Sequence, residues 1–127
     1  MFTRKIKSVA IAGVLFFGFN VGAAEKVTFE DHILPIFRTS CLKCHNADKM
    51  RADLDISTYA ALINGSGNGE IVAGGDPDSS LLYTVVTHEE EPTMPPNGKL
   101  SDKDIATIKA WIAGGLLENS GSKAVMS

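Results

Sequence analysis

Basic residues are scarce over most of this 127-residue chain. Three of its twelve lysines and arginines, but none of its fifteen aspartates and glutamates, lie in the first 24 residues, so the rest carries nine basic and fifteen acidic side chains, a formal net charge of −6. Nucleic acids are bound mainly through basic side chains that contact phosphates. The acidic balance therefore argues against a nucleic-acid partner.

A hydrophobic run long enough to span a membrane is also missing. The uncharged run VAIAGVLFFGF, residues 9–19, has 11 residues, whereas a spanning helix needs about 20. It follows the basic segment TRKIK and precedes the small residues of VGAA, the order found in secretory signal peptides. We therefore predict a signal peptide over residues 1–24, cleaved between Ala24 and Glu25, and export to the periplasm, rather than an uncleaved membrane anchor.

Internal repeats, long charge blocks and convincing strand pairs are likewise missing. The chain instead has short segments with apolar residues at helical spacing, separated by loops that are rich in glycine or proline. We predict one small, loop-rich, all-α domain of three to five short helices over residues 25–118. Residues 119–127 are predicted to form a flexible tail.

The first predicted helix leads directly into the cysteines. Thr28 is placed as its cap. Pro35 lies within the helical pattern and cannot donate a backbone hydrogen bond to the preceding turn. The helix therefore either starts near Leu34 or kinks there.

Two later helices have clear start signals. Asp76 is a suitable cap for a helix with Pro77 in its first position. The last helix is the clearest, with Ser101 as its cap and Gly114–Gly115 as its stop. It presents one apolar face, formed by Ile105, Ile108, Trp111 and Ile112.

The chain has only two cysteines, Cys41 and Cys44, and His45 follows the second. Cys-x-x-Cys-His is the attachment signal of a c-type haem. The two thiols add to the two haem vinyl groups, and the histidine ligates the iron from one face. Outside the cytoplasm, a free thiol pair tends to be oxidised or covalently occupied. We therefore predict one covalent haem c on Cys41 and Cys44, with His45 as the proximal iron ligand.

Two other chemistries use cysteines at this spacing. A thioredoxin-like redox pair lies beside a βαβ pattern, which this sequence lacks. A structural zinc site needs a fourth ligand, and His32 and His88 are the only other histidines that could supply it. Both alternatives are weaker than haem, and a thiol oxidoreductase without haem would be colourless.

The sixth position of the haem iron could be filled by Met94, His88 or His32. Met94 lies between Pro92 and Pro95, in a loop without an amphipathic period, where a methionine gains little by filling a core. His88 suits the end of a helix without any ligand role, and His32 suits a surface or capping position. We predict Met94 as the distal ligand. The other methionines lie in the signal, near the motif and in the tail: Met1, Met50 and Met126.

The segments HILPIF, CLKCH, LDIST, GGDPDSSLLY, TMPP and LSDKDIATIKAWIAGG follow one another along the chain. In this order they resemble the class I cytochrome c fold, and most closely the short bacterial domain known as planctomycete-type cytochrome c. The resemblance covers roughly residues 29–116. It implies the same site: Cys41 and Cys44 as attachment positions, His45 as the proximal ligand and Met94 of the M-P-P motif as the distal ligand.

The resemblance also implies that the first and last helices pack against each other. The residues expected to meet are Phe29, Ile33 and Phe37 with Ile108, Trp111 and Ile112. One departure concerns the proximal histidine, whose ring in many class I cytochromes donates to the carbonyl of a proline soon after the motif. Here no proline occurs between His45 and Pro77, which leaves the acceptor for His45 unassigned.

A haem iron with two protein ligands has no open position for a substrate, so we predict an electron carrier rather than an enzyme. The alternative is a haem-based sensor or peroxidase-like enzyme with a labile Met94. No distal acid and base pair is recognisable, since only His88 and Glu89–Glu91 are nearby titratable candidates. The expected partners are a redox donor and acceptor, met transiently, and the three glutamates could steer a basic partner.

Overall fold

The computed structural model describes residues 26–127 and, before them, Gly13 alone, so the predicted signal peptide and its cleavage site lie outside the described residues. Residues 26–127 contain no β-strand, only two isolated bridges, and no helix long and apolar enough to cross a membrane. The predicted all-α class is confirmed. The α-helices are α1 (Leu34–Ser40), α2 (Tyr59–Asn64), α3 (Leu81–Val86) and α4 (Asp102–Ala113), with short 3₁₀ turns at Arg51–Asp53 and Pro77–Ser79.

The entry into α1 shows how the chain accommodates Pro35. Thr28 caps the segment by accepting from the Asp31 backbone N–H at 3.2 Å, as predicted. Phe29–Ile33 then forms a π-helical turn, in which backbone bonds reach five residues back. The missing N–H of proline is harmless near the start of a helix, and here Pro35 lies in the first turn of α1. Both sequence-based alternatives are thus partly realised: α1 starts at Leu34, and a distorted turn precedes it.

The first and last helices pack as the resemblance implies. The rings of Phe29 and Trp111 lie 6.3 Å apart, and the Trp111 indole N–H donates to the Leu117 carbonyl at 2.8 Å. The Phe29 backbone N–H donates to the same carbonyl at 2.7 Å. All six residues expected at this crossing are buried in one core: Phe29, Ile33, Phe37, Ile108, Trp111 and Ile112.

The segment before α3 differs from the single helix that the sequence indicates. Asp76 caps a 3₁₀ turn, after which Ser80 adopts an extended backbone and separates the turn from α3. The buried Ser80 hydroxyl accepts from the Ala73 N–H at 2.9 Å and donates to the Asp76 carbonyl at 2.9 Å. The Leu82 N–H donates to the Ile71 carbonyl at 2.9 Å. The serine of the G-D-P-x-x-S-x-L motif therefore fixes Ile71 beside Leu82.

The C-terminal segment, which the sequence predicts to be a flexible tail, lies along the domain. The Val125 N–H donates to the Gly115 carbonyl at 2.7 Å, and the Ser127 N–H donates to the Gly74 carbonyl at 2.8 Å. Gly74 is buried, and a Cβ placed on it would collide with the Val125 carbonyl oxygen. Residues 124–127 can approach this closely because glycine has no side chain.

Replacing Gly74 with alanine is expected to displace the C-terminal segment and to lower the free energy of unfolding by about 1–3 kcal/mol, the usual cost of overpacking. Thermal unfolding of the haem-loaded protein, followed by circular dichroism, measures the loss. The matched control is Gly98→Ala, because a Cβ at Gly98 meets nothing within 4 Å. Equal stability of the two variants would contradict the role assigned to Gly74.

Candidate haem site

One cavity gathers the residues of the Cys-x-x-Cys-His motif and the proline-rich loop. It has a volume of about 540 Å³ and is lined by Cys41, Cys44, His45 and Met94. Cofactor and ligand pockets typically measure about 300–1,000 Å³. The thiols and the imidazole come from the segment after α1, and the thioether comes from the loop after α3. Two separate parts of the chain therefore meet at the same cavity.

The rest of the cavity wall is mostly hydrophobic. Leu54, Ile56, Ile71, Leu82, Val85 and Val86 all contribute to it. Such a wall suits a large apolar macrocycle, since pockets for cofactors combine apolar side chains with a few placed polar groups. Two thiols, an imidazole and a thioether are the donor set that a c-type haem uses. The residues present thus fit covalent haem c.

The ring of His45 is oriented by a backbone acceptor. Its Nδ1 lies 3.1 Å from the carbonyl oxygen of Arg51. A carbonyl only accepts, so Nδ1 carries the proton and donates, which leaves the Nε2 lone pair for a metal. This bond answers the question that the missing proline raises. The carbonyl of Arg51 supplies the acceptor that could not be assigned from the sequence.

The loop after His45 is closed by the side chain of Asn46. Its Oδ1 accepts from the backbone N–H groups of Asp48 and Lys49 at 2.9 and 2.8 Å. Its Nδ2 donates to the Leu42 carbonyl, one turn back. Asn46 thereby ties the motif to the turn that presents the Arg51 carbonyl. Sequence reasoning missed this residue, although asparagine often forms such local bonds in turns.

Replacing Asn46 with alanine is expected to lower the free energy of unfolding of the haem-loaded protein by about 2 kcal/mol, since three hydrogen bonds of about 0.5–1.5 kcal/mol each are lost. Denaturant titration measures the change. Asn46→Asp keeps the acceptors and should recover part of it. Asp48→Ala is the control in the same loop, because only the backbone of Asp48 bonds to Asn46. An Asn46→Ala protein as stable as this control would contradict the prediction.

The environment of Cys41 disfavours a redox role for a free thiol pair. Burial raises the pKa of the Cys41 thiol to about 11. Reactive cysteines of thiol oxidoreductases instead have lowered pKa values, since the thiolate is the nucleophile. The described residues also lack the β-strands of a βαβ unit. The thioredoxin-like alternative therefore gains no support.

A structural zinc site is equally unsupported. Within residues 26–127, no group of three or more histidine, cysteine, aspartate or glutamate side chains is placed to hold a metal ion. The Nδ1 of His32 accepts from the Thr28 N–H at 2.9 Å, in the capping role that the sequence indicates. His88 is exposed and does not line the cavity. Neither histidine joins the two cysteines.

Met94 is held at the cavity by the backbone of its loop. Its N–H donates to the Val85 carbonyl near the end of α3 at 3.0 Å, and its half-buried side chain packs against the core. Upstream, the N–H groups of Glu89 and Glu90 both donate to the Thr84 carbonyl, at 2.9 and 3.2 Å. The Thr84 hydroxyl lies 3.0 Å from the Glu90 carboxylate. These bonds fold the loop back onto α3.

Met94 is also the one candidate sixth ligand that lines the cavity; His32 and His88 do not. Met50 and Met126 are 47% and 60% exposed and lie outside the lining as well. The assignment of His45 and Met94 as the iron ligands stays a prediction, and the geometry is compatible with it.

Comparison with known proteins supports this interpretation. Residues 41–98 match the family described as Planctomycete cytochrome C. No curated protein matches the chain. A solved structure, Kuenenia stuttgartiensis Hydrazine Synthase, is similar over 68% of this chain and 16% of that chain, with 18% identity and a TM-score of 0.49. That likeness is too distant to indicate fold or activity. The family match begins at Cys41 and extends past Met94, so this segment, which holds all the predicted haem-site residues, is similar to planctomycete-type cytochrome c.

Proposed function

We propose that the protein is an exported monohaem c-type cytochrome that acts as an electron carrier, with His45 and Met94 as the two iron ligands. The observation that carries this proposal is the meeting of Cys41, Cys44, His45 and Met94 at one apolar cavity. When bound, the haem supplies an iron that accepts one electron in its ferric state and returns it in its ferrous state. A protein donor supplies that electron and a protein acceptor receives it.

The chain's own residues fix the electronic character of the site. The Arg51 carbonyl fixes the tautomer of His45, and such an acceptor makes the imidazole a stronger ligand. Met94 offers a soft thioether sulfur, which favours the ferrous state and raises the reduction potential relative to a second histidine. The apolar wall has a similar effect, since low polarity disfavours the additional charge of the ferric site.

The lining of the cavity argues against the sensor or peroxidase-like alternative. Its titratable side chains are Cys41, Lys43, Cys44, His45 and Arg51, and it includes no aspartate or glutamate. Catalysis on a haem-bound ligand generally requires a general acid or base beside the open position. His45 is the predicted proximal ligand, and His88 lies outside the lining. An electron carrier needs no such group.

The absorption spectrum tests the proposal. The full-length gene is expressed in a host that matures c-type cytochromes, and the purified protein is measured oxidised, reduced, and reduced under carbon monoxide. We expect the weak far-red band of methionine bound to ferric iron and no spectral change with carbon monoxide. A missing band with ready binding of carbon monoxide would place the sensor or enzyme function first.

The proposed partners are a redox donor and acceptor that bind transiently. Glu89, Glu90 and Glu91 are exposed and directly precede Pro92, which lines the cavity. Carboxylates at this position increase the rate at which a basic partner reaches the haem edge.

Replacing Glu89 and Glu91 with glutamine is expected to slow association with a basic redox protein several-fold at low salt and little at high salt, because salt screens exposed charges. Glu90 is left intact because it contacts Thr84. Stopped-flow electron transfer measures the rates. Glu30→Gln with Asp102→Asn removes the same charge from residues outside the proline-rich loop and serves as the control. Equal salt dependence of both variants would remove the steering role.

A further inference from the structure

The charged side chains that line the cavity are all cationic. Lys43 and Arg51 are lining residues, whereas no aspartate or glutamate is. Residues 26–127 contain fourteen acidic and nine basic side chains. The charge of the cavity lining is therefore opposite in sign to the net charge of these residues. Both residues are exposed, so they bound the cavity on its solvent side and not within its apolar wall. This cavity therefore suits a ligand that is apolar over most of its surface and anionic at one edge.

Haem has that distribution of charge. Its two vinyl groups, the attachment points for cysteine, lie on one half of the macrocycle, and its two propionates lie on the other. Lys43 stands between Cys41 and Cys44 in the sequence and so belongs to the vinyl half. Arg51 is the remaining cation of the lining. A guanidinium can pair with a carboxylate through two parallel hydrogen bonds, which a lysine cannot do.

Arg51 lies at a place where two loops join. The Gly67 N–H donates to the Ala52 carbonyl at 3.1 Å, which connects the Arg51–Asp53 turn to the glycine-rich loop. A Cβ on Gly67 would lie 2.7 Å from the Asp53 carboxylate, so the two loops are in close contact here. Ser66 and Asn68, which flank Gly67, line the cavity together with Arg51.

The polar groups of these two loops differ in whether they already form hydrogen bonds and whether they line the cavity. The Ser66 hydroxyl accepts from the Asn68 N–H at 3.2 Å and lies 3.3 Å from the Gly69 carbonyl, so it stabilises the turn. Asn68 is exposed, and its carboxamide has two N–H donors. The Asp53 carboxylate lies against Gly67 but is not a lining group. Arg51 and Asn68 therefore supply the donors for an anion at this edge.

We propose that the Arg51 side chain, assisted by the Asn68 carboxamide, binds a haem propionate. Arg51 then has two functions: its carbonyl orients the His45 ring, and its guanidinium holds the carboxylate edge of the macrocycle. The proposal rests on haem binding, and it is independent of Met94 ligation and of any partner protein.

Proton NMR of the reduced holoprotein tests the contact directly. We expect nuclear Overhauser effects between the propionate methylene protons and the side chains of Arg51 and Asn68. Contacts of both propionates with Lys43 or with solvent alone would overturn the proposal. The same spectrum reports on the proposed function separately, because a methionine bound to ferrous haem shows strongly upfield-shifted methyl protons. Mass spectrometry confirms covalent haem, and a chain that carries none would overturn the proposal as well.

A charge-matched pair of variants tests the electrostatic consequence. Arg51→Gln removes a cation beside the haem and is expected to lower the reduction potential, because a nearby positive charge disfavours the ferric state. Lys49→Gln removes the same charge from the same loop, at a residue outside the lining, and should shift the potential much less. Arg51→Lys keeps the charge without the bidentate geometry and should fall between wild type and Arg51→Gln. Equal shifts in Arg51→Gln and Lys49→Gln would contradict the pairing.

Discussion

Met94→Ala is expected to abolish the far-red methionine band, to make the reduced protein bind carbon monoxide and to lower the reduction potential. The thioether holds the sixth position in our proposal, and its loss leaves that position to water or an added ligand. We expect a decrease of roughly 0.2 V, within the range of about 0.8 V over which axial ligands set haem potentials. Absorption spectra, carbon monoxide titration and potentiometry measure the three effects.

The structure indicates that neither of the two remaining histidines will replace Met94. The other histidines, His32 and His88, do not line the cavity. The hydrogen bond from the backbone N–H of residue 94 to the Val85 carbonyl does not involve the side chain, so the loop should keep its course in the variant. A second variant, Met94→His, therefore tests the same position with a different ligand. It should restore six-coordination and block carbon monoxide, while the potential stays low because imidazole stabilises the ferric state more than a thioether does.

Met50→Ala is the matched control, because Met50 is 47% exposed and lies outside the cavity lining. It should leave spectrum, potential and carbon monoxide response unchanged. If Met94→Ala keeps the far-red band and excludes carbon monoxide, another side chain is the ligand. The proposal of an electron carrier with His45 and Met94 as its iron ligands would then be wrong.

The parts of the site that depend on local rules could be predicted from the sequence. The Cys-x-x-Cys-His motif carries its chemistry within five residues. The placement of Met94 between two prolines predicts its loop, whereas its side chain packs against the core there, so its role as an iron ligand stays a prediction. Capping residues likewise predict helix starts, as Ser101 shows by accepting from the Asp104 N–H at 3.1 Å. Each of these features is decided by neighbours along the chain.

The parts that depend on backbone groups and on distant contacts could not be predicted. The acceptor for His45 is the carbonyl of Arg51, and every residue has a carbonyl, so no sequence pattern marks this one. The break at Ser80 follows from the burial of its hydroxyl against Ala73, where tertiary contacts override a good helix start. The position of the C-terminal segment depends on the space left by Gly74, 51 residues before Val125.

Replacing both Cys41 and Cys44 with alanine is expected to give an exported chain that is largely unfolded or degraded. The cavity of about 540 Å³ would then have no covalently held macrocycle. Its apolar walls would then face water, and each large apolar side chain left exposed loses about 1.5–3 kcal/mol of burial free energy. Several such side chains line the cavity, so the combined loss is comparable to the whole stability of a typical domain, about 5–15 kcal/mol.

Circular dichroism of the purified double variant measures its helix content. Lys43→Ala is the matched control, because it changes a lining residue of the same motif but leaves both thiols for attachment. It should yield a red, helical protein. A double variant that is folded, haem-free and as helical as this control would show that the polypeptide alone supplies the core.

A second preparation separates the loss of haem from the loss of the thiols themselves. The wild-type chain, expressed in a host that does not attach haem, keeps Cys41 and Cys44 but lacks the cofactor. It should be as poorly folded as the double variant, since both leave the same walls around Leu82, Val85 and Val86 without a partner. If only the double variant is unfolded, the two sulfur atoms and not the macrocycle stabilise the fold. Because Cys41 is half-buried and each truncation removes one small group, that outcome would require an effect well above the usual 0.5–3 kcal/mol of a single substitution.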